Sequence, residues 1–346
     1  MGSIVWNLLG ISSPWHMVLK LVLGIGLFGY LTLGLASLGL LSKVTFVLVS
    51  VASLIYFLNT YGTILVEGKF IKKLKGWCSN NMAFCALFGV LFFLMMTESL
   101  APVTTEDSLN YHFRIPFDYA KNNGLIYSAY QPFNWPQLAE ILVSWLFLFY
   151  KTDIGAHFVF LLYSSLFIVV FYGFSKSVLL NKKHALLSVL LLATTPMFFF
   201  VKISGRVEVL LALFVVASFW CLLTGLQLDK ESSRRSWFFL SGALIGCACG
   251  VKYYGVLAAT LLFIIALSVQ WTEILKKKAY APMLLFCVGA VIFSVPFYLK
   301  SIVYTGNPVY PALFDFFGGR DWSNAMATAS EVYFNDHKKT GGRRAI

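Results

Sequence analysis

The chain has 346 residues, of which 59% are hydrophobic and 12% charged, with a formal net charge of +12. A soluble domain carries roughly 25% charged residues, so a water-soluble globule is excluded and lipid must solvate much of the surface. The positive balance does not point to nucleic acid, because the basic residues fall in short segments between apolar runs.

In chain order, apolar runs near 17–41, 45–65, 82–100, 156–174, 185–200, 207–226, 237–251, 256–270 and 281–297 predict about nine spans. The expected fold class is therefore all-α, a polytopic transmembrane helical bundle with a large first outer loop. Residues Met1–Lys20 have no basic start and the apolar run continues to Leu41, which argues against a cleaved signal peptide. The expected organisation is N-terminal transmembrane helices over 1–100, a first outer loop with interfacial helices over 101–155, a transmembrane core over 156–297, and an outer loop with a basic tail over 298–346. Six cysteines lie in or beside apolar runs with no CxxC pair, so they read as small buried residues.

Orientation follows from charge. Lys69, Lys72, Lys73 and Lys75 share one connection; Lys176, Lys182 and Lys183 share a second. Lys230, Arg234 and Arg235 fall in a third, and Lys276, Lys277 and Lys278 in a fourth. All four lie on one side of the nine-span arrangement, which the positive-inside rule makes cytoplasmic. Counting Pro136–Tyr150 as a further span would break that alternation. It is also only about 15 residues long, against roughly 20 needed to cross, so it is expected to rest on the outer interface. Glu67, Asp229, Glu231 and Glu273 fall inside, and the other acids fall outside or at outer span ends.

Four outer segments carry candidate chemistry. The first loop contains Glu106, Asp107, Tyr111, His112 and Arg114, where a carboxylate can act as general base; helix capping by Thr105 or Asp107 is the competing account. Arg206 and Glu208 open the next outer segment. Glu208 is an acid at a membrane helix end, although a helix start also favours negative charge. Lys252 follows Gly250-Val251 and precedes Tyr253-Tyr254-Gly255: an ammonium between phenols can hold a phosphate, and a snorkelling lysine in an aromatic belt is the plain alternative. Finally Lys300 is followed by the turn Gly306-Asn307-Pro308-Val309-Tyr310-Pro311.

Taken in order, these segments resemble the GT-C type polytopic membrane glycosyltransferases. The likeness is to the family 39-like branch that includes protein O-mannosyltransferases and aminoarabinose transferases. It covers roughly Thr104 to Trp322. It implies an enzyme that takes a sugar from a polyprenyl-phosphate donor on the outer or lumenal face. Asp107 matches the first acid of the family's Asp-Glu motif and is the implied base. Ser108 stands at the second acid's place, with Glu106 preceding, and Tyr111 matches the following tyrosine. Glu208 matches a second outer acid. Lys252, Tyr253 and Arg206 are implied to face the donor phosphate, and Tyr111, His112, Asn307 and Tyr310 to line the substrate loops. A single inverting displacement through an oxocarbenium-like transition state is expected. No nucleotide is needed, and no cofactor is assigned. A divalent metal serves some relatives and not others; Asp107, His112 and Glu208 carry ligand chemistry for one. The implied partners are the lipid-linked sugar, the bilayer and an unspecified acceptor, and the implied location is a bacterial inner membrane with the active face outside the cytoplasm. Relatives continue with further spans, whereas this chain ends in the basic segment Lys338–Ile346. The alternatives are a lipid or solute transporter or flippase, and a non-catalytic truncated relative; a transporter calls for midplane charges and internal repeats.

Overall fold

The computed structural model describes residues 16–66, 69–103, 105–150, 154–198, 207–277 and 280–329. The described residues form helices and connections only. In chain order these are α1 (His16–Ser37), α2 (Lys43–Val66), α3 (Lys69–Asn80), α4 (Met82–Ser99), α5 (Arg114–Lys121), α6 (Leu138–Phe147), α7 (Ile154–Leu179), α8 (Lys182–Thr194), α9 (Glu208–Leu226), α10 (Glu231–Val251), α11 (Tyr254–Lys277), α12 (Ala281–Thr305) and the single turn α13 (Phe314–Phe317).

Six of these are long and apolar enough to cross a membrane: Met17–Ser37, Met82–Ser99, Gly155–Leu179, Glu208–Leu226, Tyr254–Trp271 and Ala281–Thr305. The protein is an integral membrane protein. Three further runs from the sequence are also helical but fall outside that set. In α2 the apolar stretch is Lys43–Asn59. Helix α8 has only 13 residues, and α10 opens with the polar sequence Glu231-Ser232-Ser233-Arg234-Arg235-Ser236.

Helix α10 is enclosed over most of its length, with almost every residue from Trp237 to Val251 buried. Lipid offers no hydrophobic drive for helix association, so membrane helices pack through small residues and interhelical hydrogen bonds. Both occur here. A Cβ on Gly242 would stand 2.0 Å from the Phe286 carbonyl oxygen of α12, and one on Gly246 2.6 Å from that of Ala290. Across the same seam, a Cβ on Gly289 would lie 2.6 Å from the Phe239 carbonyl oxygen. On its other side α10 meets α9 through Ser241 and Ser218. Each hydroxyl lies 2.8–2.9 Å from the other's carbonyl oxygen.

Basic groups gather where α7 ends and α8 begins. There Asn81 accepts from Tyr172 at 3.0 Å and from Lys176 at 3.4 Å, while Lys182 donates to the Asn80 carbonyl at 2.9 Å. Arg234 reaches back to the Leu228 carbonyl. At the opposite end, residues 105–150 fold as a set of short helices against the bundle. Helix α6 is too short to span, as its length required. Its side chains from Leu138 to Trp145 are all buried, so its apolar character is met by packing on α1, α5 and α7. The indole of Trp145 donates to Thr32 of α1 at 2.7 Å. Helix α12 stops at Gly306, which takes φ +79° and donates to the Ile302 carbonyl at 2.8 Å, a left-handed helix end suited to glycine.

Replacing Gly242 by leucine should therefore separate α10 from α12, at a cost above the ~1–3 kcal/mol typical of core overpacking. Thermal unfolding in detergent should report a lower midpoint and a reduced monodisperse yield. Gly34→Leu, where an added Cβ meets nothing within 4 Å, should leave both unchanged.

Candidate active site

The site lies where three polar segments converge at the end of the bundle opposite the basic cluster. The first is a wide π turn over Ser108–His112, closed by a 2.9 Å bond from the Phe113 amide to the Ser108 carbonyl. Such turns interrupt the normal helical register, and here Leu109 and Asn110 are exposed while His112 turns inward. Its side chain is 2% exposed, and its Nδ1 lies 2.7 Å from Oε1 of Glu140, itself 5% exposed, in the first turn of α6. A carboxylate oxygen accepts, so Nδ1–H is the donor of this bond.

The second is the elbow between α10 and α11. Lys252 breaks the helix with extended backbone (φ −159°, ψ 153°), and Gly255 permits the tight return, since a Cβ there would fall 2.4 Å from the Ala248 carbonyl. The elbow directs the Lys252 ammonium to Glu208 at the start of α9, 2.7 Å away, with both side chains only partly exposed. The ammonium also lies 5.9 Å from the Tyr254 ring centroid. The Tyr253 hydroxyl donates to the Tyr310 carbonyl at 3.0 Å.

The third is the segment 131–137, held from below by Lys300 of α12. This buried ammonium donates to the carbonyls of Phe133 at 2.9 Å and Trp135 at 3.0 Å, and to the Gln137 side chain. The same amide oxygen of Gln137 accepts from Tyr119 at 2.7 Å, and its nitrogen donates to Pro132.

Together these segments enclose a mostly apolar cavity of about 320 Å³, lined among others by Tyr111, His112, Trp135, Gln137, Glu140, Lys252, Tyr253 and Tyr254. Buried polar groups normally find partners. Around this cavity several do not: His112 Nε2, Trp135 Nε1, Glu140 Oε2 and Glu208 Oε2 are buried with no hydrogen-bond partner among the described residues.

The residues expected from sequence divide accordingly. Lys252, Tyr253, Tyr111 and His112 share the cavity, with Glu208 bonded to Lys252. Asp107 and Glu106 do not line it. Their charges reach Tyr130, whose phenol is pushed above its ordinary value by burial first, then by Asp107 and Glu106. Tyr130 borders a second, more polar cavity of about 590 Å³ with Asn110, Arg114, Asp118 and Tyr127. Asn307 and Tyr310 are fully buried and shape their own loop: Asn307 donates to the Ala312 and Gly318 carbonyls, both at 2.9 Å, and the Tyr310 hydroxyl donates to the Arg320 carbonyl. Arg206 lies outside the described residues, as do Lys202 to Gly205 and the tail from 330 onward. Among the described residues, no group of three His, Cys, Asp or Glu side chains is close enough together to hold a metal ion, so Asp107, His112 and Glu208 do not form one centre. Sequence reasoning passed over Glu140, Gln137 and Trp135, although a lone acid within the apolar run Leu138–Phe147 was a usable signal.

A bundle of apolar helices, with a mostly apolar pocket capped by short helices at one end, is similar in fold to a GT-C type membrane glycosyltransferase. Residues 136–298 match the family model described as dolichyl-phosphate-mannose-protein mannosyltransferase, a stretch that holds Glu140, Glu208, Lys252 and Tyr253. The fold is similar to the crystal structure of ArnT from Cupriavidus metallidurans bound to undecaprenyl phosphate, with a TM-score of 0.53 and 18% identity over 70% of this chain. The chain spans 44% of the length of that ArnT. No curated protein matches it.

Two measurements probe these contacts. Lys252→Met strands the Glu208 carboxylate and should cost about 1–3 kcal/mol, between the values for exposed and buried pairs. The double variant with Glu208→Gln should recover part of that loss in a thermal-unfolding cycle. At the outer rim the Tyr127 hydroxyl bonds Asp321, and burial, then that contact, pushes the phenol from 10.0 to about 12. The folded state thus holds this proton more tightly, so the contribution is full below pH 10 and lost as pH rises toward 12. Tyr127→Phe should remove that component from the alkaline unfolding curve.

Proposed function

We propose that the protein transfers a sugar from a polyprenyl-phosphate donor to an acceptor hydroxyl on the non-cytoplasmic side of the membrane. The observation that carries this reading is the Lys252 ammonium, held by Glu208 beside the phenols of Tyr253 and Tyr254, in a mostly apolar pocket at a span end. A lipid phosphate is its own leaving group, so the pocket needs a fixed cation for the departing charge and no nucleotide-binding loop. That ArnT is seen bound to undecaprenyl phosphate supports a lipid donor of this class.

In this reading Lys252 and Tyr253 face the donor phosphate, and Glu208 fixes the position of Lys252. Arg206 stands as a further cation. Asp107 is the base that activates the acceptor, following its match to the first-loop motif, with Glu106 beside it in the same electrostatic field. Tyr111 and His112 contact substrate, while Asn307 and Tyr310 hold the turn on which Tyr253 rests. Direct displacement inverts the anomeric centre. Helices α2, α8 and α10 cross the membrane with the six longer ones, giving nine spans. The basic end faces the cytoplasm, which places the pocket outside the cytoplasm of a bacterial cell membrane.

The test is transfer from a panel of radiolabelled polyprenyl-phosphate sugars by membranes carrying the parent, Asp107→Asn or Lys252→Met. Loss of a general base should lower the rate by about 10²–10⁴-fold at equal abundance, and loss of the cation should lower it comparably. An Asp107→Asn protein that retains the parent rate removes Asp107 from the chemistry. A Lys252→Met protein that does so removes the phosphate assignment.

A further inference from the structure

The pocket contains more polar chemistry than a lipid phosphate uses. Beyond Lys252 it holds the His112–Glu140 pair, whose Nε2 and Oε2 have no partner among the described residues. Next to the pair stands Trp135, whose indole N–H is likewise buried without a partner. The Tyr111 ring is 4.2 Å from that of His112 and 5.8 Å, edge-on, from Trp135. In the same wall Gln137 bonds Tyr119, Pro132 and Lys300, and Lys300 bonds the main chain behind Trp135, while Asn134 Oδ1 is buried with no partner among the described residues. Three of the side chains that line the cavity thus keep unmet bonding capacity, and a buried acceptor left bare costs about 1–3 kcal/mol.

We infer that Trp135, His112 and Glu140 form the subsite for the transferred sugar, selecting a neutral glycosyl group through its ring hydroxyls. The inference rests on the lipid-donor reading above, with Lys252 at the phosphate end of the same cavity. An aromatic wall suits the C–H face of a pyranose, and the carboxylate and imidazole acceptors suit its hydroxyls. Glu140 Oε2 accepts one hydroxyl proton and His112 Nε2 bonds a second hydroxyl, while Trp135 Nε1 donates to a ring or hydroxyl oxygen. A cavity of about 320 Å³ is at the lower end of small-ligand sites, in keeping with one ring rather than a chain of them. Glu140 repels the carboxylate of an acidic sugar. Lys252, on the same lining, repels the ammonium of an amino sugar.

The test measures binding, so it does not depend on finding the acceptor. The full chain in nanodiscs is titrated, with tryptophan fluorescence as readout, against undecaprenyl phosphate and its glucosyl, glucuronyl and 4-aminoarabinosyl derivatives. The parent should bind the glucosyl lipid at least about tenfold more tightly than the bare phosphate, and the other two no better than the bare phosphate. Glu140→Gln keeps an oxygen for His112, and in it that tenfold gain should fall to near one while affinity for undecaprenyl phosphate stays within twofold. His112→Gln should behave alike. Lys252→Met should weaken all four lipids together. Equal binding of glucosyl and bare lipids by the parent, preference for the charged sugars, or an unchanged gain in Glu140→Gln would overturn the subsite. If none of the four lipids binds, the donor reading fails and the subsite falls with it.

Discussion

The contact on which the site depends is the backbone-to-backbone seam between α10 and α12. Gly242, Gly246 and Gly289 leave no room for a Cβ between the two helices, and such proximity is what holds helices together where lipid competes equally for apolar side chains. Both site-bearing lysines belong to this pair. Lys252 follows the last residue of α10, and Lys300 lies in the final turns of α12. A shift along the seam would move Lys252 and the loop anchor together.

Burying polar groups in a membrane protein is tolerated where each has a partner. The scaffold meets that condition closely: Ser218 with Ser241, Trp145 with Thr32, and Lys300 with two carbonyls and an amide. The pocket departs from it at His112, Trp135, Glu140 and Glu208. Other unmet groups, Ser165 Oγ and Gln270 Oε1 among them, lie singly in the described bundle, whereas those of the pocket face one another across a single cavity.

The sequence was most informative about what repeats. Apolar runs gave the helical class, because they average over many residues. Helix α10 was harder to classify. Its polar start lowers its hydropathy, and its glycines are invisible to an apolar count although they decide its packing. At the site, Lys252, Tyr253 and His112 were legible because each sits beside a recognisable break in an apolar run. The His112–Glu140 bond was not, since 28 residues separate the pair and nothing local marks their approach. Asn307 and Tyr310 were conspicuous in sequence because their turn chemistry is strong, and that chemistry serves the loop's own carbonyls. A motif can be prominent for the geometry it secures as readily as for a substrate it touches.

The Lys300 anchor also orders events in time. Its ammonium grips carbonyls that precede it in the chain by 167 and 165 residues, so segment 131–137 cannot take its final place until α12 has been synthesised and inserted. Until then the wall that carries Trp135 has no cation beneath it. The pocket end of the protein is therefore among the last parts completed at the translocon, and a chain stalled before α12 would have most of its helices and still lack the pocket's full wall.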